Sequence, residues 1–119
     1  AHITQGGIVG GVSQQRLGAV QIGSGNLTDA AGRATGTFAF TCTSVRVNKG
    51  YVDEQCSSWG SFTGGQLILG GMSRSNTDRH TWAVTGGTGI YREARGEARL
   101  RDINDRTTMV DITLVSSGR

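Results

Sequence analysis

The chain has 119 residues, of which 35% are hydrophobic and 18% charged, with 20 glycines, no proline and a net charge of +3. That length supports one hydrophobic core and not two, so residues 1–119 are read as a single domain. Apolar residues recur in short organised runs and charge does not dominate, which argues against a disordered chain. No stretch approaches the ~18 apolar residues of a membrane-spanning helix. The basic residues, eleven of them arginine and one Lys49, are scattered without interleaved aromatics, which argues against a nucleic-acid partner.

With no proline, every turn has to be built from Gly, Asn, Asp and Ser, as in a protein of many short strands. Residues 1–13 are glycine-rich and carry Ile3, Ile8, Val9 and Val12; they read as an edge strand or a loosely held segment. A strand is predicted over 17–22, followed by a loop over 23–32. The cleanest strand is 33–43. There Ala34, Gly36, Phe38, Phe40 and Cys42 share one face, and Arg33, Thr35, Thr37, Ala39 and Thr41 the other. Val45 and Val47 extend it past a bend, and Asn48-Lys49-Gly50 is a turn.

Further strands are predicted over 59–63, 66–72 and 81–85, with Gly64-Gly65 between the first two. Over 91–103, Ala94, Gly96, Ala98, Leu100 and Asp102 alternate with Glu93, Arg95, Glu97, Arg99 and Arg101, so a small apolar face backs a charged one. A helix would give this stretch no coherent apolar stripe. After a turn at 104–106, the closing strand 108–115 sets Val110, Ile112 and Leu114 against Met109, Asp111 and Thr113. The sum is an all-β protein of about eight antiparallel strands. Its edges must be hidden, either in a small closed barrel or in a two-sheet sandwich.

Cys42 and Cys56 enclose 13 residues. Two cysteines without a second ligand pair do not make a structural zinc site, and no metal is expected. As a disulfide they would staple a hairpin or loop and contribute about 3 kcal/mol. That reading places the protein in a secreted or extracytoplasmic setting, whereas two separate buried thiols would suit a cytoplasmic one. The glycine loop Thr85–Gly89 has the look of a dinucleotide-binding turn, but it sits near the C-terminus and feeds a strand, not a helix. It is read as a turn between strands.

The run Trp82-Ala-Val-Thr-Gly-Gly-Thr-Gly-Ile-Tyr-Arg-Glu-Ala-Arg-Gly96 resembles the signature of plant dirigent proteins and the related segment of allene oxide cyclases. Leu27-Thr28 and Gly32-Arg33-Ala34-Thr35-Gly36 resemble another element of that family, and the resemblance runs in order from Leu17 to Val115. It implies an eight-stranded antiparallel barrel, often trimeric, with an internal pocket for a hydrophobic small molecule and no redox cofactor or metal. In one departure, the acidic pair expected before the Leu27-Thr28 element is replaced by Ser24-Gly25-Asn26.

The candidate catalytic residues are Asp111, a lone acid in an apolar strand, and Arg95, which matches the family's Ala-Arg-Gly arginine. Phe38, Phe40, Trp59, Trp82 and Tyr91 are the candidate ligand-binding aromatics. The expected function is cofactor-independent cyclisation or stereocontrol of an apolar reactive intermediate, as by a cyclase or isomerase. The missing acid pair motivates the alternative, a non-catalytic barrel that captures a small ligand or glycan.

Overall fold

A computed structural model describes residues 2–6, 16–104 and 106–116. Eight strands follow one another in chain order: β1 His2–Gly6, β2 Val20–Thr28, β3 Ala34–Asn48, β4 Tyr51–Phe62, β5 Gly65–Arg74, β6 Arg79–Gly87, β7 Arg95–Asn104 and β8 Thr107–Ser116. Each pairs antiparallel with the next, and β1 pairs with both β2 and β8, so the sheet closes into a barrel. Closure settles the choice between barrel and sandwich, with β1 pairing Asn26–Thr28 of β2 on one side and Thr107–Asp111 of β8 on the other.

The short N-terminal strand closes the barrel; Ile8, Val9 and Val12 lie outside the described residues. Three boundaries differ from the sequence reading. Residues 16–19 form a turn, and β2 runs instead through Gly23–Thr28, which looked like a loop. Gly23 and Gly25 are tolerated in a strand because β3 flanks them in continuous register. β4 begins at Tyr51, eight residues early, because the 48–51 turn folds the chain straight back onto β3. Finally, Gly89–Tyr91 is a 3₁₀ turn, and β7 starts only at Arg95. Gly89 needs its left-handed φ of 63° there, and a Cβ on it would meet the Gly64 carbonyl.

Strand parity sorts the side chains. Phe38, Cys42, Leu67, Leu69, Trp82, Val84, Ala98, Leu100, Val110 and Ile112 are buried inside, as the alternation over 33–43, 91–103 and 108–115 requires. Arg95, Glu97, Arg99 and Arg101 are exposed outside. Two inner-wall glycines make room for aromatics. A Cβ on Gly23 would run into the Phe40 ring, and one on Gly71 would lie 2.6 Å from Trp82 Cδ1.

Cys42 and Cys56 are opposite one another in the β3–β4 ladder, with Cα atoms 4.1 Å apart, and they form a disulfide on the inner wall. This separation is that of a non-hydrogen-bonded antiparallel pair. The disulfide is thus a rung within one hairpin and closes no open loop.

Candidate functional site

Among the described residues, side-chain size and polarity distinguish the two ends of the barrel interior. At one end, Phe62 and Tyr91 pack at 5.8 Å with their rings tilted by 60°, and Ala94 nearby in the chain is fully buried. Toward the other end lies a cavity of about 220 Å³. Its walls are Leu27, Phe38, Phe40, Leu67, Leu69, Trp82, Leu100, Val110 and Ile112 together with Cys42 of the disulfide. An eight-stranded barrel is just wide enough to be filled by side chains or to hold one small ligand, and a cavity of ~150 Å³ already admits benzene. The void therefore suits a ring system somewhat larger than one benzene.

Two aromatic features shape this void. Phe38 and Phe40, two apart on β3, stack with centroids 6.2 Å apart and planes within 2°. Trp82 lies against Gly71 and donates its Nε1–H to the Met72 carbonyl at 3.1 Å, which fixes the indole plane. The walls thus offer flat, apolar faces with little rotational freedom.

The mouth is polar. It is formed where the turns β3–β4, β5–β6 and β7–β8 meet, and Gln21, Glu54, Ser73, His80, Asp102 and Thr108 line it. Glu54 is the central group. It shares the inner face of β4 with Cys56 and Ser58, is half-buried, and no hydrogen bond reaches its side chain among the described residues. Burial pushes its carboxyl above the ordinary glutamate range, and the charge of nearby His80 offsets this only in part. His80 donates Nε2–H to the Arg74 carbonyl at 3.2 Å, because a carbonyl can only accept. With Nε2 committed to that bond, Nδ1 is the ring's other hydrogen-bonding atom. Asp102 accepts a hydrogen bond from Thr108 Oγ1 at 3.0 Å.

The rim beside Glu54 is clamped. Arg74 donates to both Asp53 oxygens, at 2.7 and 3.2 Å, and lies 4.2 Å from the Tyr51 ring centroid. Arg46 approaches the same carboxylate at 3.9 Å. The Arg74 hydrogen bonds hold Asp53 below the usual carboxylate range, against the effect of burial, and Asp53 in turn raises Arg74. Arg74 is therefore engaged with Asp53 and stiffens the mouth.

The residues expected from the sequence divide cleanly. Phe38, Phe40 and Trp82 line the cavity. Tyr91 does not; it belongs to the plug with Phe62. Trp59 borders the cavity but is 43% exposed, because its parity on β4 is opposite to that of Glu54 and Ser58. Asp111 and Arg95 are exposed on the outer face, and neither is part of the cavity lining. Nor do they face each other: Asp111 pairs with Arg99, and Arg95 with Ser116. Arg95 donates to the Ala94 carbonyl at 2.7 Å. An acid–arginine pair at these positions cannot act on a molecule held inside.

Sequence reasoning missed Glu54 and His80. The signal was present in the parity of 54, 56 and 58, but Tyr-Val-Asp-Glu-Gln shows no alternation of polarity that would announce a strand.

Fold and cavity together define a closed antiparallel barrel with an internal, largely apolar cavity. No family model and no curated protein matches the chain by sequence. By structure it is similar to a pterocarpan synthase dirigent protein, with a TM-score of 0.79 and 19% identity over 100% of this chain and 95% of that one. A second pterocarpan synthase dirigent protein superposes with a TM-score of 0.76 and 20% identity, over 96% and 84% of the two chains. Pyocyanin demethylase does so with a TM-score of 0.78 and 19% identity, over 95% and 98%. The fold is that of the dirigent-type barrel.

Proposed function

We propose that the barrel takes a small, flat, largely apolar molecule into its cavity and that Glu54 and His80 move protons on it, directing a cyclisation, isomerisation or related stereocontrolled step. The observation that supports this most is the half-buried Glu54 carboxyl, raised in pKa by desolvation at the mouth of an apolar, aromatic-walled cavity. A carboxyl in that state can act as a general base or acid closer to neutrality than an exposed one. His80, oriented through Nε2, is its natural counterpart. The walls would contribute by holding the reacting atoms in one geometry. The names of the structural neighbours, a synthase and a demethylase, are consistent with chemistry performed on small molecules in such a barrel.

The test begins with the ligand. The protein is purified natively and the bound molecules are extracted and identified by mass spectrometry, then related compounds are assayed for conversion. Glu54→Gln is expected to slow conversion by about 10²–10⁴-fold while ligand binding persists. Because Glu54 titrates above the ordinary range near 4.3, the acidic limb of the rate profile should lie above that value. Undiminished turnover in Glu54→Gln would leave the barrel as a binding protein, the alternative reading.

Two coarser features bear on setting. The disulfide supports an oxidising, extracytoplasmic location. The outward positions of β2–β5 carry no charged side chain between Val20 and Asn26, Thr37 and Thr43, Gln55 and Ser61, or Gln66 and Met72. With Ile22, Trp59, Ile68 and Met72 exposed among them, that face supports self-association, a trimer being the form the dirigent resemblance implies.

A further inference from the structure

We propose that Cys42, Cys56 and Glu54 form a redox-gated site for a thiophilic divalent ion such as Zn²⁺, closed while the two sulfurs are bonded to each other and opened when they are reduced. The two Sγ atoms and a Glu54 carboxylate oxygen all lie within 4.8 Å of one another. Tetrahedral zinc, with bonds of about 2.3 Å to sulfur and 2.0–2.2 Å to oxygen, sets its donors about 3.5–3.8 Å apart. Once the S–S bond opens, side-chain rotation alone brings the three donors to that spacing.

The backbone beneath them is a rigid hairpin. Cys42 and Cys56 are direct partners in the β3–β4 ladder, and Glu54 lies two residues before Cys56 on the same face of β4. Both cysteines are buried and Glu54 is half-buried, so three protein ligands would sit on the inner wall with the fourth position open to the cavity. That is the ligand count of an open zinc site. The Ser73 hydroxyl, 3.8 Å from Cys56 Sγ, is placed to donate to the thiolate that forms.

A water-soluble phosphine delivers two electrons to the S–S bond. Water supplies two protons, which complete the two thiols, and the oxygen, which ends in the phosphine oxide. Zinc then displaces both thiol protons to solvent. Ligation would occupy Glu54 and so shut off its proton transfer. The site itself is assembled from donor geometry and does not depend on that chemistry.

The experiment uses the full chain, oxidised or reduced with a phosphine. It is titrated with Zn²⁺ against a chromophoric chelator, and with Co²⁺ to observe thiolate-to-metal charge transfer. The reduced chain is expected to bind one ion at least about 100-fold more tightly than the oxidised chain. Glu54→Gln should weaken binding about tenfold or more. A double Cys42→Ser/Cys56→Ser variant should behave as the oxidised protein does, and circular dichroism checks that each form keeps its strands. Equal affinity in the oxidised chain overturns the proposal, as does a reduced chain with no thiolate band or one that loses its barrel and does not regain it with zinc. An unchanged affinity in Glu54→Gln overturns the three-donor site.

Discussion

Asp53 and Glu54 are neighbours in β4 with opposite surroundings. Asp53 is gripped by Arg74, with Arg46 close by, and its pKa is lowered; Glu54 faces the cavity, and its pKa is raised by burial. Adjacent strand residues point to opposite faces, so one backbone position separates an ion-paired carboxylate from one that borders the cavity. The consequence for stability has a definite sign. Asp53 has a folded pKa below its unfolded value, so it stabilises the fold above about pH 4, and that contribution disappears as pH falls through the folded pKa. Asp53→Asn should therefore lower Tm at pH 7, and its difference from the unmutated chain should shrink below about pH 4. Thermal melts from pH 7 to pH 2 read this directly, and a gap that stays constant with pH would refute the assignment. Glu54 has the reverse sign: its raised pKa makes the ionised form a cost to folding at neutral pH.

At the scale of the element, the β5–β6 contact shows how the cavity is shaped. Trp82 occupies the space a side chain at 71 would need. A Cβ on Gly71 would lie 2.6 Å from Trp82 Cδ1 and 3.1 Å from its Cα, so both the ring and the β6 backbone would have to move. Gly71→Ala is expected to cost about 1–3 kcal/mol through overpacking and to displace the indole from the Met72 carbonyl. Denaturant melts and a shift in tryptophan emission check both parts. An unchanged melt and spectrum would show that the strands yield at no cost. The β3–β4 hairpin is the stiff counterpart of this contact, since the Cys42–Cys56 bond holds its two strands in a single register.

For the whole molecule, the asymmetry between the aromatic-filled and the polar-lined end shapes the interior. Small side chains leave part of the interior unfilled, with Ser58 on β4, Ser73 on β5 and Thr108 on β8 among the lining. Filling the void tests its role. Val110→Trp projects an indole into the cavity from β8; it is expected to abolish binding of a hydrophobic fluorescent probe such as anilinonaphthalene sulfonate. Stability should change by less than about 2 kcal/mol, because the added ring meets empty space. Probe binding that survives would move the ligand site to the outer face around Trp59, which is 43% exposed.

The sequence by itself determined which side chains share a face. The period-2 alternation over 33–43, 91–103 and 108–115 is a property of consecutive residues, and Phe38, Phe40, Ala98, Leu100, Val110 and Ile112 all point where it requires. The same alternation held the outcome for Arg95 and Asp111, whose parity opposes the apolar face. Their motif match and chemical type made them candidates although their positions did not. Only the tertiary structure decided which faces meet. Barrel closure through β1, the register that sets Cys42 opposite Cys56, and the meeting of Glu54 with His80 across β5 all depend on pairings between residues distant in the chain. Parity is fixed by local geometry, whereas register is fixed by which strands bury one another.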